Sequence, residues 1–293
     1  MMKNTQKMAL LGATVLAVGS VSTACSGGDD DDDDGSSGQP VISQGDGGAA
    51  DFTTCTAIGS SAATISLKVF VGKQGLDTSA DPAATPGSIV SVFDPLTGNT
   101  SGASAATAAD GTTIVPNVPK SSLVAFKVTH ATDGATTFVD GYDYRVTPAV
   151  SDSSGTAYFN TRIIPTTVRN AIAAILGPPV ANLAGLTSFA GSVTDCSGEP
   201  IVGATLHYAG AEPNRCSSSA ALPCVAYSTD TGEDYSDDGG QVFLLGLPGS
   251  GQLTVNVMGV LTEDAAPVQI GTITVRGVAD AIVLAPIPAQ YAP

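Results

Sequence analysis

Five residues of this 293-residue chain are cysteines, and their thiols are the side chains best suited to covalent chemistry. Cys25 follows an apolar stretch near the start, whereas Cys55, Cys196, Cys216 and Cys224 are spread through the body of the chain. A zinc site needs closely spaced Cys or His pairs. No Cys-x-x-Cys occurs, and only His207 stands near any of them. In an exported protein an even number of cysteines reads as disulfides, with three possible connectivities for four. Cys216–Cys224 closes a short polar loop and is the preferred bond, which leaves Cys55–Cys196. Other chemistry is sparse. His130 and His207 are far apart, and no His-x-x-Glu, Gly-x-Ser-x-Gly or P-loop pattern is present. Asp234 to Gly239 begins like a calcium loop, but its twelfth position is Leu245, where a bidentate Glu is needed. These patterns assign no catalytic residue, no metal ligand and no cofactor.

The surroundings of Cys25 say where the chain goes. Lys3 and Lys7 precede an apolar run from Met8 to Gly19, the length of a signal-peptide core and short for a bilayer span. Small residues follow. The segment Val21-Ser22-Thr23-Ala24-Cys25 resembles a bacterial lipobox, with Ser22 standing where that pattern has an aliphatic residue. The resemblance implies cleavage before Cys25 and a diacylglycerol on its sulfur. The partner it implies is the lipid bilayer, gripped through acyl chains worth about 0.8 kcal/mol per buried CH₂. By resemblance to sorting rules for such lipoproteins, Ser26 favours the outer membrane, facing the periplasm or the cell surface.

Residues 26–54 carry six consecutive aspartates, Asp29 to Asp34, among Gly, Ser and Gln. Dense like charge and little apolar surface predict an extended, unfolded acidic tether. A formal net charge of −16 with 11 basic residues excludes nucleic acid, which needs a basic face. Trp is absent and aromatics are 5%, which argues against a stacking platform for sugars.

The remaining residues repeat one pattern. Ile65 to Val71 alternates like a half-buried strand. Then come Pro86 to Phe93, Asp110-Gly111, a strand to Val115, Asn117-Val118-Pro119, and Leu123 to Val128. The second half answers with Phe189 to Thr194, Pro200 to Tyr208, Asp238-Gly239-Gly240, Gln241 to Leu245, Gly246-Leu247-Pro248 and Leu253 to Val257. From Gly111 to Pro119 is eight positions, as from Gly240 to Pro248; Pro119 to Val128 and Pro248 to Val257 are both nine. The Asp-Gly pairs read as hairpin turns. Short strands divided by turns predict β-sandwiches. Residues 187–285 resemble a carboxypeptidase regulatory-like domain, a transthyretin-like sandwich related to collagen-adhesin B-type modules. The resemblance is carried by Gly191 to Asp195, Pro200 to Ala204, Asp238 to Phe243 and Gly246 to Pro248; residues 60–150 resemble it more weakly. Adhesin-like relatives can form a Lys–Asn isopeptide bond. Lys68 lies in a first strand but alternates away from the core, and the last strand candidate, Tyr142 to Val146, has no Asn. No such bond is therefore expected.

Between the copies, Val168, Ile172, Ile175 and Leu176 form one helical stripe. Thr166 or Thr167 is the expected cap, with Gly177-Pro178-Pro179 as the stop. The expected architecture is all-β: a signal peptide (1–24), a lipidated acidic tether (25–54), a sandwich (55–163), a linker with a short helix (164–186) and a second sandwich (187–293). The expected role is a non-enzymatic envelope lipoprotein whose Ig-like or transthyretin-like modules act as a spacer or bind a protein or polymer. An accessory or substrate-binding subunit of an envelope enzyme or transporter is the alternative.

Overall fold

The computed structural model describes residues 39–52, 63–75, 82–120, 122–146, 157–227, 234–263 and 265–289. A leading arm contains β1 (Ser43–Gln44). The first module then runs β2 (Thr64–Lys73), β3 (Ala83–Ala84), β4 (Ile89–Phe93), β5 (Thr100–Ser101), β6 (Thr112–Pro119), β7 (Leu123–Thr129), β8 (Phe138–Val139), β9 (Gly141–Val146) and β10 (Ala157–Pro165). In β2, Ile65, Leu67, Val69 and Val71 are buried, while Thr64, Ser66 and Lys73 are exposed, as the alternation predicts. β2 pairs antiparallel with β6 and parallel with β10. β4, β7 and β9 form an antiparallel meander whose inner face meets theirs in a core that includes Leu67, Val90, Val115, Phe126 and Ile163.

A helix, α1 (Thr166–Leu176), leads to the second module: β11 (Thr187–Thr194), β12 (Ile201–Val202), β13 (Thr205–Tyr208), β14 (Asn214–Arg215), β15 (Cys224–Tyr227), β16 (Gln241–Leu247), β17 (Gln252–Gly259), β18 (Val268–Arg276) and β19 (Ile282–Pro288). The plan is the same. β11 pairs antiparallel with β16 and parallel with β19, opposite a β13–β17–β18 meander. β14 and β15 extend the edge beside β16.

The duplication extends to an irregularity. Ser66 of β2 stands opposite both Pro116 and Asn117 of β6, and Ser188 of β11 stands opposite both Leu245 and Gly246 of β16. These are β-bulges, and each of the two contains one residue with positive φ. Asn117 (φ 57°) and Gly246 (φ 81°) supply it, the two residue types that tolerate this conformation best. The matched spacing before Pro119 and Pro248 is therefore the trace of a shared bulge. The Asp-Gly pairs do not close hairpins. In each copy the glycine amide (Gly111, Gly240) bonds the carbonyl three residues back (Ala108, Asp237), and the strand that follows pairs with its module's first strand.

The two modules share a sheet. β9 of the first lies parallel to β19 of the second, with Gly141, Tyr142 and Asp143 opposite Ile282, Val283 and Leu284. The first module's β5–β4–β7–β9 and the second module's β19–β11–β16–β15–β14 thus form one nine-stranded sheet. Phe93, Tyr142 and Tyr144 leave the first module's own core and pack into the second's, with Phe93 and Tyr142 ring centroids 4.7 Å apart. The joint is a sheet as well as the expected linker helix. Helix α1 covers the outer face of the second module's strands, where Val168, Ala173 and Leu176 meet Ala190, Phe243, Leu245 and Leu284.

Details of the helix differ from expectation. Pro165 holds the N-cap position and Thr166 is already helical; no side chain caps the end. The Thr166 amide instead donates to the Thr137 carbonyl (2.9 Å), so a neighbouring segment does the work of a cap. Gly177 ends the helix as expected. Ile175 lies on the solvent side, because the sheet meets the face that carries Ala173. The first module's last strand is β10, not Tyr142 to Val146. It carries Asn160, exposed on the sheet face that also holds Lys68, so the absence of an Asn does not hold for the true last strand. Lys68 rests its ammonium 5.6 Å from the Tyr158 ring centroid.

The unfolded tether expected over 25–54 does not hold for its described part. Residues 39–52 lie along the second module. Ser43 and Gln44 pair with Val202 and Ile201, the Ile42 amide bonds the Val260 carbonyl (2.9 Å), and Ile42 is buried in the core. The aspartate run ends at Asp34, and averaging over 26–54 hid the apolar Val41-Ile42 step that can be buried.

Candidate functional site

The cysteines divide into described and undescribed. Cys25 and Cys55 lie outside the described residues. Cys216 and Cys224 are bonded to each other, Cα–Cα 4.9 Å, and tie the β14 segment to the start of β15. Cys224 is fully buried among the residues beneath α1. Cys196 is disulfide-bonded too. These three sulfurs are oxidised and cannot ligate zinc as thiolates. Among the described residues no group of three His, Cys, Asp or Glu side chains gathers into a metal cage. The histidines sit in different modules. His130 Nε2 lies 2.9 Å from the Pro86 carbonyl and its ring stacks on Phe138, while His207 stands opposite Asn256 in the β13–β17 pair.

Asp195, beside Cys196, fastens the arm. One carboxylate oxygen accepts from the Ser197 amide (2.8 Å) and hydroxyl (2.7 Å) and from the Glu199 amide (3.1 Å). The other accepts from Gln44 Nε2 (2.7 Å) and the Asp51 amide (3.0 Å), both on the arm. Burial would push this carboxyl up, but the hydrogen bonds outweigh it and hold the group below its ordinary range. The sequence placed Asp195 in a turn motif; its reach to residues 144 and 151 positions away was not visible there.

Tyr227 anchors the insertion that carries the disulfide. Its hydroxyl accepts from the Leu206 amide (2.7 Å) and donates to Glu212 Oε1 (3.0 Å), and burial drives its pKa up strongly. Arg215 stacks 4.2 Å over the ring and pairs with Glu212 and Asp234.

At the junction Tyr144 accepts a hydrogen bond from the Arg276 amide (2.9 Å), and burial pushes its hydroxyl up to about 12. The Arg276 side chain reaches the first module's Leu96 carbonyl (2.8 Å). Beside this lies a charged cleft. Asp143, nearly fully buried, accepts from Arg145 Nε (2.8 Å) and from the Thr161 hydroxyl (2.9 Å). Arg162 donates to the Gln74 side chain (2.9 Å). Sequence reasoning read Tyr142 to Val146 only as a strand. The overlooked signal is its alternation: two tyrosines on one face, and an acid and a base on the other.

A second cavity, of about 30 Å³, lies beneath α1. Its lining is apolar apart from Arg169 and Ser188, and Arg169 Nε is buried without a hydrogen-bond partner.

No family model matches the chain, and no curated protein matches it. Several solved structures overlap most of its length, among them these two. One is a variant of the shaft pilin SpaA from Lactobacillus rhamnosus GG, at 8% identity, covering 79% of this chain and 100% of that one, with a TM-score of 0.25. The other is a candidate cell adhesion protein from Bacteroides eggerthii, at 9% identity, covering 80% and 89%, with a TM-score of 0.23. Superpositions this loose carry no functional argument.

Proposed function

We propose that the protein is a non-catalytic envelope lipoprotein, held on a membrane through Cys25, whose two sandwiches form a stiff spacer presenting a binding or adhesion surface. The observation that carries the spacer is the nine-stranded sheet running from one module into the other. A shared ladder with side chains packed across it resists the hinge motion expected of modules joined by a linker alone. The envelope reading is supported by the leader, the lipobox-like segment and the disulfides.

The arm sets the orientation. From Cys25 the chain reaches Gln39 in 14 steps, and Gln39 Nε2 already bonds the Gly203 carbonyl (2.6 Å) of the second module. Fourteen extended residues span at most about 50 Å. In this reading the C-terminal module stands nearer the membrane and the N-terminal module is held outward. Changing Cys25→Ser tests the anchor: the variant is expected in the soluble fraction after membranes are sedimented, and retention with the membranes would overturn the reading.

A further inference from the structure

The β9–β19 ladder is short, and its end opens a fork. Pairing stops at Asp143 and Leu284. Beyond it β9 continues to Val146 and β19 to Pro288 without pairing to each other. The cleft between them, about 20 Å³, is lined by Asp143, Arg145 and Arg162 of the first module, and by Ser192 and the 284–286 segment of the second.

Among the described residues the charges in this fork do not balance. Asp143 is the one carboxylate among its described lining residues, and it is committed to Arg145 Nε and Thr161. Arg145 lays its guanidinium 5.0 Å from the Phe159 ring centroid. Its terminal nitrogens have no hydrogen bond among the described residues. Arg162 is half-buried, and its one described partner is the neutral Gln74. Among the described residues, two guanidinium groups against one carboxylate leave a single surplus positive charge in a partly dry cleft. Burial and then repulsion from Arg145 lower the proton affinity of Arg162, as expected of neighbouring cations in a partly dry cleft.

We propose that this fork is a binding site for a carboxylate group. A planar guanidinium matches a carboxylate through paired N–H donors. One negative charge cancels the surplus, whereas a phosphate dianion would overshoot it beside Asp143. The cleft admits a head group and leaves the body of the ligand outside, so the carboxylate can belong to a small acid or to an acidic side chain. The site sits where both modules contribute, so it exists only while the sheet joins them. It does not depend on the membrane-anchor reading.

The test uses the purified full chain, titrated with sodium acetate at constant ionic strength while the arginine Nε–Hε signals are followed by NMR. The expected result is a saturable change at Arg145 and Arg162. In Arg162→Gln, binding should weaken on the order of tenfold, the loss of one charge-assisted hydrogen bond, with the backbone spectrum otherwise unchanged. Arg162→Lys should recover part of it. A run with Asp29 to Asp34 changed to Asn separates the sources: tighter acetate binding there identifies the chain's own acidic run as the competing carboxylate, and unchanged binding assigns the site to an external one. A non-saturating response, an equal response in Arg162→Gln, or tighter binding of inorganic phosphate than of acetate would overturn the proposal.

Discussion

Asp195 shows how much one buried carboxylate can hold together. It accepts five hydrogen bonds, two of them from an arm that arrives from the far end of the sequence. Asp195→Ala should cost about 2–4 kcal/mol in urea unfolding, since several charge-assisted bonds go at once. The pH dependence has a definite sign. The folded carboxyl titrates below its unfolded value of about 3.9. Its contribution is therefore complete above that value and fades as pH falls through the lower folded one. The stability gap between wild type and Asp195→Asn should be constant near neutrality and shrink below about pH 4. Gly246 makes a different point. Its φ is 81°, and an added Cβ would lie 2.8 Å from Leu222. Gly246→Ala should cost on the order of 2 kcal/mol, from the left-handed backbone and the clash together. Asn117→Gly, at the equivalent bulge, should leave stability nearly unchanged by the same measurement.

At the scale of elements, strand character was legible wherever one face is wet. β17 reads Gln252-Leu253-Thr254-Val255-Asn256-Val257, and its burial alternates with its sequence. β16 is buried at every position because the core lies on one side and other strands and the α1 layer on the other. Its run Val242-Phe243-Leu244-Leu245 records that double burial as a loss of alternation. The duplication was readable because Gly-x-Pro and Asn-x-Pro each mark a bulge. Pairing partners were not readable: a turn signal says that the chain reverses, not which strand the next one joins. The helix stripe was legible as apolar, but which of its two edges meets the sheet depends on tertiary contacts. The expected Cys216–Cys224 bond is present. Closing so short a loop contributes about 2.5 kcal/mol on a chain-entropy estimate. Replacing both cysteines by serine should lower unfolding stability by roughly that amount, with the loss centred on β14 and β15 in hydrogen exchange.

At the scale of the molecule, the sequence announced two modules but not their fusion. The parallel β9–β19 pairing joins segments about 140 residues apart, and no local pattern encodes so distant a contact. Its trace is indirect. Tyr142 and Tyr144 are large side chains on the strand face that turns away from their own module's core, a surface that must be covered. The same blindness affected residues 39–52, whose pairing to the second module lies outside any window of neighbouring residues. The arm's pairing to the second module and the shared sheet together predict a body that moves as a unit. Residual dipolar couplings measured across the full chain test this most directly. One alignment tensor is expected to fit the couplings of both modules. Two tensors of different magnitude or orientation would show the modules reorienting independently and would contradict the fused body.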